Sequence, residues 1–298
     1  LSLESHSDKR SQHRYFINSR GKKVLARHWL ASNPVSNLII LPGYSEHSAR
    51  YHPIANRFVD HGCNVFSMDY EGHGKSDGLK GDIREFSYHV DDVQQYLNAI
   101  RKENDRPIWL LGHCMGGLVA TQLAHRLQSK DIIQRLILSA PLFSFGTEVP
   151  RIVQDTAKYV SSMAATFPIL SIEEDWLSTD AVALKAYRED DLNYHGKLRA
   201  RMASHLIQNG KDAREKLLEL DIPVLLIHSQ KDLFADPTFA IDLADEEKDA
   251  QQVSVEVLEN RGHMQLFESG WQDIIDQAIH WGDELCDSPS ISPQVSKP

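Results

Sequence analysis

Short apolar runs recur along the chain, each followed by a segment of different periodicity. That rhythm constrains the fold more than any other feature. A fully apolar strand must be covered on both faces of its sheet, and helices between successive strands supply the cover. The runs are Asn37–Leu41, Asn64–Asp69, Pro107–Gly112, Arg135–Ala140, Ile222–His228 and Ser254–Leu258. Between them, Phe86, Val90, Val93, Leu97 and Ile100 recur at helical spacing, and Gly116–Gln128, Pro237–Glu247 and Trp271–Leu285 also read as helices. Near the start, Arg14–Asn18 and Val24–Leu30 flank Ser19–Lys23 as a β-hairpin. The expectation is an α/β protein with a mostly parallel central sheet flanked by helices.

From Pro141 to about Gly210 the rhythm stops, and the segment reads as several helices without a strand. The resulting organisation is a core in two parts, 1–141 and 211–286, interrupted by a helical cap insertion at 142–210. A Ser- and Pro-rich tail, 287–298, is expected to be disordered.

Composition narrows the function. The 298 residues carry 32 Lys+Arg against 42 Asp+Glu, a net charge of −10, which argues against a general affinity for nucleic acid. Three cysteines cannot pair completely and suit a reducing compartment, so a cytoplasmic location is expected. No apolar run approaches the ~18 residues that a membrane span requires. The opening residues do not have the pattern of a signal peptide, and a leader removed upstream stays compatible with them.

The chemistry gathers at Gly112-His113-Cys114-Met115-Gly116-Gly117, where an apolar strand runs into a turn and a helix follows. This is the arrangement of a nucleophile elbow, whose usual form is G-x-S-x-G. Flanking glycines leave room for a sharp turn that exposes the central side chain at a helix N-terminus, where an anion is favoured. Here the central residue is Cys114; the competing assignment is a buried structural cysteine. A nucleophile of this kind needs a base and a residue to orient it, in the chain order nucleophile, acid, His. Asp232 follows strand Ile222–His228, and His263 follows strand Ser254–Leu258, both in loops that open on the face where such sheets place their sites. The backbone N–H groups of Tyr44 and Met115 are the candidate oxyanion hole. Glu46, His47, His52 and His61 match no zinc spacing, so no metal is expected and no cofactor is needed.

These residues resemble the α/β-hydrolase superfamily, and within it the monoacylglycerol lipase and lysophospholipase group. Leu41–Tyr51 is similar to the group's HGxxEHSxRY, Asp69–Gly78 to DxRGHGxSDG, and Gly112–Gly117 to GHSMGG. The resemblance runs from about Tyr15 to Leu285. It implies a carboxylic-ester hydrolase acting on a lipid-like ester, with a cap that forms an apolar acyl channel and touches the membrane surface transiently. Val149, Ile152, Val153, Met163 and Phe167 are the candidate lining residues. Three departures stand out: Pro42 for His, Glu71 for Arg and Cys114 for Ser. Cys114 is either a natural thiol nucleophile or an introduced replacement of Ser, and the residues leave both open. A thioester intermediate would suit a Cys-dependent acyltransferase or thioesterase. A lipid-binding protein without turnover is the non-enzymatic alternative.

Overall fold

The computed structural model describes residues 10–128, 132–245 and 252–287. The first half of the chain forms β1 (Ser11–Ile17), β2 (Lys23–Trp29), β3 (Ser36–Leu41), α1 (His52–Asp60), β4 (Cys63–Met68), α2 (Ser87–Glu103), β5 (Ile108–His113), α3 (Met115–Leu127) and β6 (Arg135–Ser139). The interruption holds α4 (Arg151–Met163), β7 (Pro168–Leu170), α5 (Ala181–Arg188), β8 (Leu198–Arg199) and α6 (Ala200–Leu217). The alternation then resumes with β9 (Val224–Ser229), α7 (Thr238–Asp245), β10 (Val253–Leu258) and α8 (Trp271–Asp287).

Eight strands make one sheet in the order β1-β2-β4-β3-β5-β6-β9-β10. The hairpin strand β1 is antiparallel to β2, and β2 is antiparallel to β4. Every other neighbour is parallel. The twofold alternation of a strand divides the core between the two faces. On β3, Ile39 and Leu41 join the core beneath α2 and α3, whereas Leu38 and Ile40 join the core beneath α1 and α8.

Three features differ from expectation. The cap is not free of strands, because β7 pairs antiparallel with β8. Strands of three and two residues are too short to set up an alternation that periodicity would register. Helix α1 carries Ile54, Ala55, Phe58 and Val59 on its buried side, with a proline in its first turn. Its nine residues are too few for a sustained period. Helix α6 continues unbroken through position 210, where the cap was expected to end. Of the expected tail, all but Asp287 lies outside the described residues, as does the end of the helix expected to reach Glu247.

Candidate active site

The loops after β3, β5, β9 and β10 meet at the C-terminal edge of the parallel strands. Strand β5 ends at His113, Cys114 turns the chain, and α3 starts at Met115. Cys114 has φ 53° and ψ −118°, a conformation that side chains rarely adopt and that costs about 1–3 kcal/mol. The flanking glycines permit the turn. A Cβ on Gly112 would lie 2.5 Å from the Gly116 carbonyl oxygen, and one on Gly116 would lie 2.0 Å from that of Leu41. Bonds from Cys114 N to Ser139 O (3.1 Å) and from Leu142 N to Cys114 O (3.2 Å) fix the turn to β6 and the loop beyond it.

His263 faces Cys114 across the cavity that both residues line, and its Nδ1 lies 2.7 Å from Asp232 Oδ2. All three side chains are buried. Burial disfavours the His263 cation, but the Asp232 carboxylate and the Cys114 sulfur outweigh it and raise the imidazole well above its ordinary pKa. Burial likewise opposes the Asp232 charge, yet His263 and His228 hold its carboxyl below the usual range. Asp232 Oδ1 accepts from Phe234 N (2.9 Å) and Ala235 N (2.8 Å). The neighbouring His113 is pushed down to about 4 by burial, and its Nδ1 faces the Ser139 carbonyl oxygen at 3.0 Å. It is therefore neutral at pH 7 and adds no charge of its own beside Cys114.

The β3–α1 loop brings Tyr44 against the elbow. Its hydroxyl donates to Gly81 O (3.0 Å), which anchors the side chain away from the nucleophile. Met115 opens α3, so its N–H precedes the first intrahelical bond. Behind this loop, Glu46 Oε2 accepts from Tyr51 OH (2.5 Å) and Gly43 N (2.9 Å), while Arg50 Nε lies 3.1 Å from Oε1. Burial pushes the Glu46 carboxyl up, but Arg50, His113 and these donors prevail and lower it. A cavity of about 20 Å³ adjoins Cys114, lined by Gly43, Tyr44, Glu46, His113, Phe234, His263 and Met264, with Ile172, Leu177 and Tyr187 contributed from the cap. That is room for a water molecule, not for an acyl chain.

Cys114, Asp232, His263 and Tyr44 thus converge, with Met115 beginning the helix behind Cys114. None of the five residues expected to line an acyl channel borders the cavity. Val149 is buried in the core and Val153 packs partly against it, while Ile152, Met163 and Phe167 are 67%, 82% and 58% exposed. A larger space near the site is a chamber of about 250 Å³ bordered by the apolar Leu142, Phe143, Phe145, Leu206 and Ile207 and by the polar or charged Ser144, Gln154, Lys211 and Arg214. Phe145 packs edge-on against Phe234 at 5.6 Å, so this pair stands between chamber and cavity. His228, whose Nε2 lies 3.0 Å from Asp232 Oδ2, was not anticipated. Its place at the end of a strand is the only signal it leaves in the sequence. Among the described residues no group of three or more His, Cys, Asp or Glu is arranged to hold a metal ion.

Sheet, elbow and convergent loops define an α/β-hydrolase. The chain belongs to the Hydrolase_4 family, described as serine aminopeptidase, S33, which matches residues 32–270. It is 29% identical over 228 residues to a monoacylglycerol lipase of Mycolicibacterium smegmatis, covering 76% of this chain and 80% of that one. With the mouse monoglyceride lipase it shares 27% over 228 residues, 74% of each chain. With the phospholipase YtpA of Bacillus subtilis it shares 28% over 215 residues, 72% of this chain and 82% of that one. A soluble variant of the monoglyceride lipase from Saccharomyces cerevisiae, solved with a substrate analogue, superposes with a TM-score of 0.82 at 16% identity. That match covers 95% of this chain and 98% of the yeast one.

Proposed function

We propose that this protein cleaves a lipid-like carboxylic ester, such as a monoacylglycerol or lysophospholipid, through an acyl-enzyme on Cys114. The observation that carries the reading is the buried convergence of Cys114 and His263 on one cavity, with His263 Nδ1 held by Asp232. With Nδ1 held by the carboxylate, Nε2 of His263 takes the thiol proton. Sγ attacks the ester carbon, and the N–H groups of Tyr44 and Met115 stabilise the oxyanion. The tetrahedral intermediate collapses, the C–O bond breaks, and His263 returns the proton to the leaving alkoxide. A water molecule then gives His263 a proton as it attacks the thioester, and the C–S bond breaks to restore Cys114. The chamber beyond Phe145 and Phe234 suits the acyl chain, provided that the aromatic pair swings aside. The exposed apolar residues of α4 suit transient contact with a membrane surface.

The thiol favours a second reading. A thioester lies above an oxygen ester in energy and passes its acyl group readily to water, an alcohol, an amine or a thiol, so an acyltransferase or thioesterase fits the same residues. Intact-protein mass spectrometry with a medium-chain monoacylglycerol, a lysophospholipid, an acyl-CoA and p-nitrophenyl esters separates these outcomes. Loss of turnover in Cys114→Ala and His263→Ala is expected. A slow adduct on Cys114 with much faster turnover in Cys114→Ser means serine chemistry impaired by the thiol. Fast turnover that weakens in Cys114→Ser means a thiol enzyme. Ligand recovered unchanged, with no adduct from any donor, overturns the enzymatic reading in favour of lipid binding.

A further inference from the structure

The carboxylate that orients His263 serves two imidazoles. His228, the penultimate residue of β9, is buried and places Nε2 3.0 Å from the same Asp232 Oδ2 that His263 Nδ1 approaches at 2.7 Å. Oδ1 is occupied by the amides of Phe234 and Ala235. Two donors on each oxygen prevent rotation of the carboxylate without loss of a pair of bonds. A ring nitrogen can face a carboxylate oxygen favourably only if it carries a hydrogen, which sets His228 as a donor through Nε2. The β9–β10 register supports both imidazoles: His228 lies opposite Val257, and the loop carrying His263 begins just beyond.

We propose that His228 is a positioning residue that locks Asp232 and divides the charge of Oδ2 with His263. The inference rests on the triad reading above. A carboxylate oxygen shared between two donors stabilises the His263 imidazolium less than an undivided one would. That restraint matters for a thiol nucleophile. An imidazolium held too firmly beside a thiolate stays an ion pair and gives its proton reluctantly to the leaving alkoxide. The titratable groups that bear on His228 are Asp232 and, beyond it, His263, with Cys114 and His113 next to His263.

The test compares His228→Leu with His228→Gln, whose amide keeps a donor near the position of Nε2. Three quantities are read: thermal midpoint, kcat and KM for p-nitrophenyl butyrate across pH, and the rate of Cys114 alkylation by iodoacetamide at pH 7, followed on its peptide. His228→Leu should lower kcat about tenfold with KM little changed. It should also move the alkaline limb of the profile up by about one unit. Alkylation of Cys114, which needs only the thiolate, should become faster while turnover becomes slower. His228→Gln should restore all three. Should His228→Leu fail to fold, His228→Asn, too short to reach Oδ2, takes its place. Equal losses in both variants that follow the thermal midpoint, or an unmoved limb and alkylation rate, would overturn the role. The triad reading fails separately, if His263→Ala retains turnover, and the alkylation rate reports on His228 without any substrate.

Discussion

Glu71 stands where the resembled motif carries Arg, and the guanidinium it faces comes from another part of the chain. Arg20, in the β1–β2 turn, reaches Glu71 at 3.0 Å and Asp92 at 2.5 Å, while Asn18 Nδ2 donates to the same Asp92 oxygen at 3.0 Å. The Tyr88 ring covers the guanidinium at 4.3 Å. Burial pushes the Asp92 carboxyl up, and Arg20 offsets that only in part. Removal of the cation therefore leaves a buried charge without its partner. Arg20→Met should cost about 3 kcal/mol, the lower end for a broken buried pair because the arginine retains some solvent. Addition of Asp92→Asn should recover part of that cost. Urea unfolding checks both, and a midpoint that stays put in Arg20→Met would mean that solvent already screens the pair. The departure from the motif is thus a relocation of charge, which only the three-dimensional contact reveals.

At the scale of elements, α4 sets out two faces. Ala157 and Val153 turn inward, while Ile152, Tyr159 and Met163, spaced on one side of the helix, project outward with Phe167 just beyond. Among the described residues no helix is long and apolar enough to cross a membrane, so this stripe would lie on a surface rather than span it. The triple change Ile152→Ser, Tyr159→Ser, Met163→Ser should lower the partition constant onto phosphatidylcholine vesicles, read by flotation, by about a thousandfold, from the loss of ~1.5 kcal/mol per immersed side chain. Hydrolysis of water-soluble p-nitrophenyl butyrate should be unchanged. Vesicle binding that survives the triple change would remove α4 as the contact. Legibility in the sequence divided at this scale as well. The buried strands and the long amphipathic helices were readable because a sustained period registers one apolar face. Cys114, Asp232 and His263 were readable because each follows a recognisable strand. Ile172, Leu177 and Tyr187 were not, because they reach the site through cap packing: Tyr194 N donates to Ser45 O (2.8 Å) and Met264 N to Leu177 O (2.8 Å). No local pattern encodes contacts across such separations. The five candidate cap residues share only an apolar composition, and composition does not say which side of a helix faces inward.

The whole molecule carries a pH dependence that follows from its buried histidines. His73 and His113 are both pushed down to about 4 by burial, and His89 is driven down too, with neither of its ring nitrogens hydrogen-bonded among the described residues. The unfolded chain protonates these imidazoles near pH 6.5, whereas in the folded chain His73 and His113 resist until about pH 4 and His89 is likewise held neutral well below its ordinary range, so the unfolded state binds more protons in between. Stability should therefore be full above about pH 6.5 and fall progressively down to about pH 4. His263 acts in the opposite direction: its raised folded pKa gives a contribution that is complete below pH 6.5 and is lost only as pH rises through that higher value. Asp232, held low, keeps its contribution until the pH falls below the ordinary carboxylate range. Neither cancels the loss in the window between pH 6.5 and 4, so the histidines dominate there. Urea unfolding at pH 7.5 and at pH 4.5 should differ by a few kcal/mol, with the midpoint lower at pH 4.5. His89→Leu removes one imidazole from a fully buried position beside Tyr70 and Phe86, at 4.7 and 5.7 Å between ring centroids, without adding a polar group. It should flatten the acid side of the profile and leave the ester-hydrolysis pH profile in place. Equal midpoints at the two pH values would show that the buried imidazoles are protonated in the folded protein without penalty, and would contradict the burial that lowers their pKa values.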